Sequence, residues 1–217
     1  MNMDGLFCAT CWGARKRIED PRCPGCAAGY PSAAALSHSP QHRCFACHDA
    51  PPLFARAITP FVYEGAIAKA IHLFKYGKKT TLAAPLARLV LEDLREVDAD
   101  CVTAIPLHPG RLRMREFNQS LLLARQVARA LLLPLLIDVL SRIRETPPQV
   151  GLSKKARHDN VRNAFRVDRL DAVRGRKILL MDDVYTTGAT LKEGAQTLIL
   201  GGALEVTVAT VARTVWE

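Results

Sequence analysis

The chain has 217 residues, 49% of them hydrophobic and 24% charged, the proportions of a soluble globular protein with one ordinary domain and a small appendage. The richest apolar run, residues 131–137, is broken by Pro134 and falls far short of the about 20 residues that cross a bilayer. Residues 1–7 lack the basic start and apolar stretch of a signal peptide, so the reading is a cytoplasmic protein without membrane insertion. A formal net charge of +9 favours polyanionic ligands, either nucleic acid or phosphorylated small molecules.

The first fifty residues hold six of the seven cysteines and three of the six histidines, with many Gly and Pro and no lasting helical or strand period. Such a segment needs a staple to fold. Cys8 and Cys11, Cys23 and Cys26, and Cys44 and Cys47 form three CxxC pairs. A cytoplasmic chain keeps its thiols reduced, and two CxxC knuckles make a tetrahedral four-thiolate zinc site. Six thiolates do not fill two such sites. Either the first and second pairs or the second and third share the ion, with Cys23, Cys26, Cys44 and Cys47 preferred. The remaining pair is spare, is completed by His42 or His48, or has a partner upstream of Met1. The zinc is expected to be structural. Ala50-Pro51-Pro52 reads as a linker, which divides the chain into a zinc-ribbon segment, 1–52, and a larger domain, 53–217.

Beyond the linker, residues 54–63 read as a strand region. Residues 65–76 carry apolar side chains at helical spacing (Ile67, Ala70, Ile71, Phe74) and stop at Lys75-Tyr76-Gly77. The pattern predicts a second amphipathic helix over 82–94, a short buried strand over 101–105, a periodic helix over 118–133 and a strand over 136–143. A long polar loop over 144–160 follows, then strands over 164–167 and 177–181, a helix over 191–200 and a final strand over 205–211. Lone Cys101, at a strand start, reads as a small buried hydrophobe. Strands alternating with helices predict an α/β fold, a mostly parallel sheet flanked by helices on both faces, whose ligands bind off the carboxyl ends of the strands.

The stretch ILLMDDVYTTGAT, residues 178–190, runs from an apolar strand through Asp182 and Asp183, past Val184 and Tyr185, into Thr186, Thr187, Gly188, Ala189 and Thr190. It reads as a polar loop ending at a helix start, where free N–H groups and the helix dipole make an anion site. The two carboxylates suit vicinal hydroxyls, or Mg²⁺ held through water. A phosphate near a diol describes a ribose 5-phosphate. A second segment, 105–119, reads as a loop that sets Arg111, Arg113 and Arg115 at a strand's carboxyl end, a fit for a diphosphate.

The 178–190 pattern resembles the signature of type I phosphoribosyltransferases, which bind 5-phosphoribosyl 1-diphosphate. The resemblance implies that Asp182 and Asp183 meet the ribose hydroxyls and that Tyr185, Thr186, Thr187, Gly188, Ala189 and Thr190 cradle the 5-phosphate. The wider set is similar to the ComF family, the phosphoribosyltransferase-fold proteins of DNA uptake in natural transformation. It comprises PLHP at 106–109, REFNQ at 115–119, TPPQVGL at 146–152, Asn160-Val161, Ala164-Phe165 and DDVYTTGAT behind cysteine knuckles. The family usually has Gly where this chain has Glu116. In enzymes of the phosphoribosyltransferase fold diphosphate leaves C1 of the ribose, with Mg²⁺ and cations stabilising it. Arg111, Arg113 and Arg115 would serve there, with Lys154, Lys155 and Arg157 closing as a lid.

Two functions follow from the resemblance. One is a competence accessory protein that holds phosphoribosyl diphosphate, binds single-stranded DNA and works with the uptake helicase at the inner membrane. The other is a metabolic transferase acting on an unidentified base or amine. A ligand sensor with a protein partner is a third, weaker reading.

Overall fold

The computed structural model describes residues 8–30, 32, 42–145 and 161–215. Four parallel strands form the central sheet: β1 (Arg56–Ile58), β3 (Cys101–Ala104), β6 (Lys177–Met181) and β8 (Glu205–Ala209), in the order β1-β8-β6-β3. Alternation along β6 sends Leu179 and Met181 into one apolar cluster and Ile178 and Leu180 into another, so the sheet is buried on both faces. Helices α3 (Gly65–Tyr76), α4 (Ala83–Leu91) and α6 (Gln119–Leu131) cover the first face with Phe74, Leu86, Val90, Leu123 and Val127. The helix α7 (Ala189–Leu200) covers the second with Leu191, Ala195 and Leu198. Each large apolar side chain buried this way contributes about 1.5–3 kcal/mol.

Three predicted strands are shorter than their patterns. The 54–63 region splits at Thr59-Pro60 into β1 and β2 (Phe61–Val62), and the last strand splits at Thr210-Val211 into β8 and β9 (Ala212–Arg213). The 136–143 region keeps only β4 (Leu140–Arg142), which pairs antiparallel with β5 (Phe165–Val167). There Asp138 turns the chain at a φ of 60° after Leu135 has bridged to Val102.

Asp182 and Asp183 correct the reading of a strand that ends at the acids. They occupy a third two-residue break, followed by β7 (Val184–Tyr185), and β2, β9 and β7 pair in the same order as β1, β8 and β6. The ladder runs on through the break: Asp182 N donates to Ala209 O at 2.9 Å and Val211 N to Asp183 O at 3.1 Å. The sheet therefore bends rather than ends, while β3 leaves it after Ile105, whose N donates to Met181 O at 2.9 Å. The gap left by β3 lies beside the two acids.

The arginine segment is also corrected, from loop to helix. In α5 (Pro109–Arg115), His108 caps the start by accepting from Gly110 N at 3.3 Å, and Pro109 sits in the first turn. Glu116 closes the helix at a φ of 70°, a conformation that favours glycine. Lys78 holds its carboxylate at 2.5 Å on the exposed surface. Glu116→Gly is therefore expected to be neutral or stabilising by up to about 1 kcal/mol, read from urea unfolding midpoints, despite losing the ion pair.

The cysteine segment packs onto this domain. Residues 16–18 run antiparallel to β2, with Ile18 N donating to Pro60 O at 2.8 Å and Val62 N to Lys16 O at 2.9 Å. Arg17 grips both oxygens of Asp93 at 2.8 Å.

Candidate functional site

A cleft of about 520 Å³ opens where β3 leaves the sheet. Its lining brings together Asp182, Asp183, Thr186, Gly188 and Thr190 with the cations Arg111, Arg115, Lys75 and Arg142. Of the predicted residues, Val184 and Ala189 also face it, whereas exposed Arg113, buried Tyr185 and half-buried Thr187 are outside the lining. Lys154, Lys155 and Arg157 lie outside the described residues.

The acids are held from two helices and by their own backbone. Asp182 Oδ1 accepts from Ser120 Oγ at 2.7 Å and from Asp183 N at 2.9 Å. Lys75 Nζ lies 2.8 Å from Asp183 Oδ2, an ion pair set off the line of an ideal hydrogen bond. Burial alone would lower the Lys75 ammonium, but Asp183, with Asp182 behind it, holds it above its ordinary value. Burial and the neighbouring Asp183 carboxylate push Asp182 up to about 6, against the opposing pull of Ser120 and Lys75.

A carboxyl raised in the fold stabilises its protonated form. The stability that it contributes is full below about pH 4, the ordinary value, and is lost as pH rises through about 6. Asp182→Asn should therefore match the parent near pH 4 and exceed it by about 1–2 kcal/mol at pH 7.5. Urea titrations at the two pH values check this. An equal difference at both would mean that the carboxyl titrates normally.

The cationic side has a similar tension. Burial and Arg111 push the Arg142 guanidinium down to about 10, and burial and Arg115 lower Arg111. An anion in the cleft would relieve that repulsion. Arg115 is aimed by Gln119, whose Oε1 accepts its Nη1 at 2.6 Å, and lies 5.2 Å from the Tyr76 ring centre.

The loop is shaped from beneath. Gly188 has a φ of 76° and precedes α7, and a Cβ there would collide with the Tyr185 ring. Thr187 Oγ1 accepts from Ala189 N at 3.4 Å, so this hydroxyl serves the turn while Thr186 and Thr190 face the cleft. A helix start with N–H groups open to a cleft suits a phosphate.

Sequence reasoning missed Lys75, Ser120, Gln119 and Arg142 as site residues. The sequence signal for Ser120 and Gln119 was two polar residues on the buried face of an apolar helix, 0% and 5% exposed. Lys75 carried a weaker signal, a lysine on the inward stripe beside Phe74. Arg142 had none, because only the β4–β5 pairing turns it inward.

In the N-terminal segment, the sulfurs of Cys23, Cys26, Cys44 and Cys47 all lie within 4.8 Å of one another, with Cys26 and Cys44 at 3.5 Å. A tetrahedral zinc with Zn–S bonds of about 2.3 Å sets its sulfurs about 3.8 Å apart, so the four thiols fit that ion. Hydrogen bonds with Cys26 and Cys47 hold the Cys23 thiol far below its ordinary value, while those with Cys23 and Cys26 drive Cys47 far above it. Four such thiols ionise together only around a cation. Cys8 and Cys11 form an exposed pair outside the cluster, with Cys11 N donating to Cys8 Sγ at 3.4 Å. His42 and His48 are not among the four ligand positions. Cys101 is fully buried, and burial raises its thiol.

The phosphoribosyl transferase domain model matches residues 118–214, the span that holds both acids and the loop. The chain is 34% identical to the DNA utilization protein YhgH of Escherichia coli (strain K12) over 215 residues, 96% of this chain and 90% of that one. It is 30% identical to competence protein F of Haemophilus influenzae, covering 94% and 90% of the two chains. The chain belongs to the ComF/YhgH family. A further ComF relative, competence protein ComFC of Streptococcus pneumoniae, is 28% identical over 94% of this chain and 86% of that one. Within the ComF/YhgH family, this chain combines a phosphoribosyltransferase-like α/β domain with an N-terminal four-cysteine cluster. Among the described residues no helix is long and apolar enough to cross a membrane.

Proposed function

We propose that the chain binds 5-phosphoribosyl 1-diphosphate with Mg²⁺ in the cleft and single-stranded DNA on its basic surface, as part of DNA uptake in natural transformation. The observation that carries the ligand is the pair of acids at the bend of the sheet, set against a phosphate-shaped helix start and arginines across one cleft. Asp182 and Asp183 would take the ribose hydroxyls, residues 186–190 the 5-phosphate, and Arg111, Arg115 and Arg142 the diphosphate. Mg²⁺ would supply charge neutralisation at the diphosphate, and the carboxylates of the cleft would hold it through water. Arg113 and the basic loop of Lys154, Lys155 and Arg157 are assigned to the nucleic acid or to closure over the ligand. The names of the relatives, DNA utilization protein and competence protein, support the DNA role, with an uptake helicase as the protein partner. In this reading residues 1–52 form the zinc-bearing unit and 53–217 the ligand-binding unit.

Calorimetric titration with phosphoribosyl diphosphate and Mg²⁺ tests the cleft. Native protein should give heat, and Asp182→Asn with Asp183→Asn should bind at least about 100-fold more weakly, because two charge-assisted hydrogen bonds are lost. No heat, or equal binding by the variant, overturns the assignment. Fluorescent oligonucleotide binding at low salt, falling steeply as salt rises, tests the DNA role.

A second reading, a metabolic phosphoribosyltransferase, is supported by the size of the cleft. It lies in the range that encloses a whole drug-sized ligand and extends past the acids to Leu107 and Met114, leaving space for an acceptor. Release of diphosphate in the presence of a base or amine would favour this reading.

A further inference from the structure

The cysteine cluster and the ligand loop are joined by a buried column. Arg213, in β9, is 7% exposed. Its Nη1 donates to the carbonyl of Cys26, one of the four clustered cysteines. Its guanidinium carbon lies 4.9 Å from the centre of the Tyr185 ring. That ring, 3% exposed, fills the space beneath Gly188 where a Cβ would collide. The backbone repeats the connection: Thr214 N donates to Tyr185 O at 3.0 Å, and Thr214 Oγ1 to Thr186 O at 3.4 Å. Tyr185, Cys23, Cys26 and Cys47 share one apolar core.

A guanidinium so deeply buried is costly unless it is compensated. A carbonyl and a ring face compensate part of that cost. Four thiolates around one divalent ion carry a net charge of two minus, and Arg213 stands at that cluster's backbone. When the cluster is formed, the cation has a reason to remain and the ring beneath Gly188 is held flat against it. When the cluster opens, Arg213 loses the Cys26 carbonyl and keeps only the 3.5 Å contact of its Nε with Thr214 O, and the ring loses its clamp.

We infer that Arg213 is a positioning residue that makes the shape of residues 186–190 depend on the four-cysteine cluster, so that zinc and a phosphate-bearing ligand bind with positive cooperativity. The inference rests on the proposed ligand for its binding test and on the chain alone for its exchange test. Coupling is reciprocal, so whatever zinc does for the ligand the ligand does for zinc.

Zinc release from the full chain to a chromogenic chelator is measured with Mg²⁺ alone and with Mg²⁺ plus saturating phosphoribosyl diphosphate. The ligand should reduce release about ten-fold, within the usual range of coupling. Arg213→Met should keep one zinc per chain by metal analysis yet release it at the same rate with and without the ligand. A merely structural role would not make the ligand's effect vanish while zinc content stays whole. In parallel, amide hydrogen exchange over residues 186–190 is followed with and without zinc. Zinc removal should deprotect these amides in the native chain and change little in Arg213→Met, whose loop is already loosened. If Arg213→Met does not fold, Tyr185→Leu takes its place, and Tyr185→Phe, which keeps the ring face, should retain the coupling. If the native protein binds the ligand with measurable heat but releases zinc equally with and without it, the inference is overturned. If no heat appears, the ligand assignment fails, and the exchange measurement decides the inference: unchanged protection of 186–190 on zinc removal overturns it.

Discussion

Cys47→Ser is expected to yield protein without zinc that unfolds at a temperature at least 10 °C below the parent. Cys47 is 2% exposed, and its thiol belongs to the same core as Phe54, Ala57 and the apolar side of β8. Losing one thiolate leaves three converging thiols that repel once ionised, so the cluster loses its ion and the surrounding core loses its staple. Structural zinc contributes of the order of 10 kcal/mol to the folding of small metal domains. Part of the cysteine segment is independently held by Arg17 on Asp93 and by residues 16–18 along β2, so a smaller loss, about 4 kcal/mol or more, is expected here. In a chain of this size that corresponds to about 10 °C or more. Cys8→Ser and Cys11→Ser should each keep the zinc and the melting temperature, because neither sulfur reaches the cluster. Metal analysis and a thermal melt of the three variants settle which pairs share the ion. Zinc retained in Cys47→Ser, or lost in Cys8→Ser, would contradict the geometry.

Lys75→Met is expected to cost about 3 kcal/mol, the low end of the range for stranding one charge of a buried pair. The Asp183 side chain is 4% exposed, with the Asp182 carboxylate beside it, and Lys75 is the cation that compensates them at 2.8 Å. Without the ammonium, two neighbouring carboxylates at the bend in the sheet are left with no counter-charge at 2.8 Å. The loss should therefore be largest above neutral pH and shrink on acidification through about 6, where Asp182 takes up a proton. Adding Asp183→Asn to Lys75→Met should return most of the stability, since an amide needs no counter-charge. Urea midpoints of the native chain, the single variants and the double variant close this cycle. A Lys75→Met protein as stable as the parent at pH 8 would mean that water reaches the pair. The same ammonium fixes Asp183 in direction, so ligand affinity should fall in Lys75→Met more than stability alone requires.

The continuous apolar run of residues 178–181 and the inward stripe of Ile67, Ala70, Ile71 and Phe74 were legible from sequence, the first because its strand is buried on both faces and the second because its helix buries a repeating face. The helix over 65–76 has the expected bounds. The CxxC spacing announced a cysteine cluster fit for a metal ion, and residues 178–190 announced a strand that meets two acids before a helix start. Periodicity could not show that the strand continues past Asp182 and Asp183, because two carboxylates in a row look like a turn when the neighbouring strand that carries their backbone hydrogen bonds is not yet known. It also could not show the helix Pro109–Arg115, which is too short to display a period and is recognisable only by its cap residues, His108 and Pro109.

By itself, then, the sequence determined the class of fold, the elements with a buried stripe, the chemistry of the cysteines and the chemistry of the 182–190 stretch, all of which depend on residues near one another along the chain. The tertiary structure decided which cysteine pairs converge, which arginines face the cleft, and that Lys75, Ser120 and Arg142 complete it from helices and strands up to 108 positions away from the acids. Those choices depend on distances across the fold and on where a buried charge finds its counter-charge, and neither quantity is encoded in local spacing.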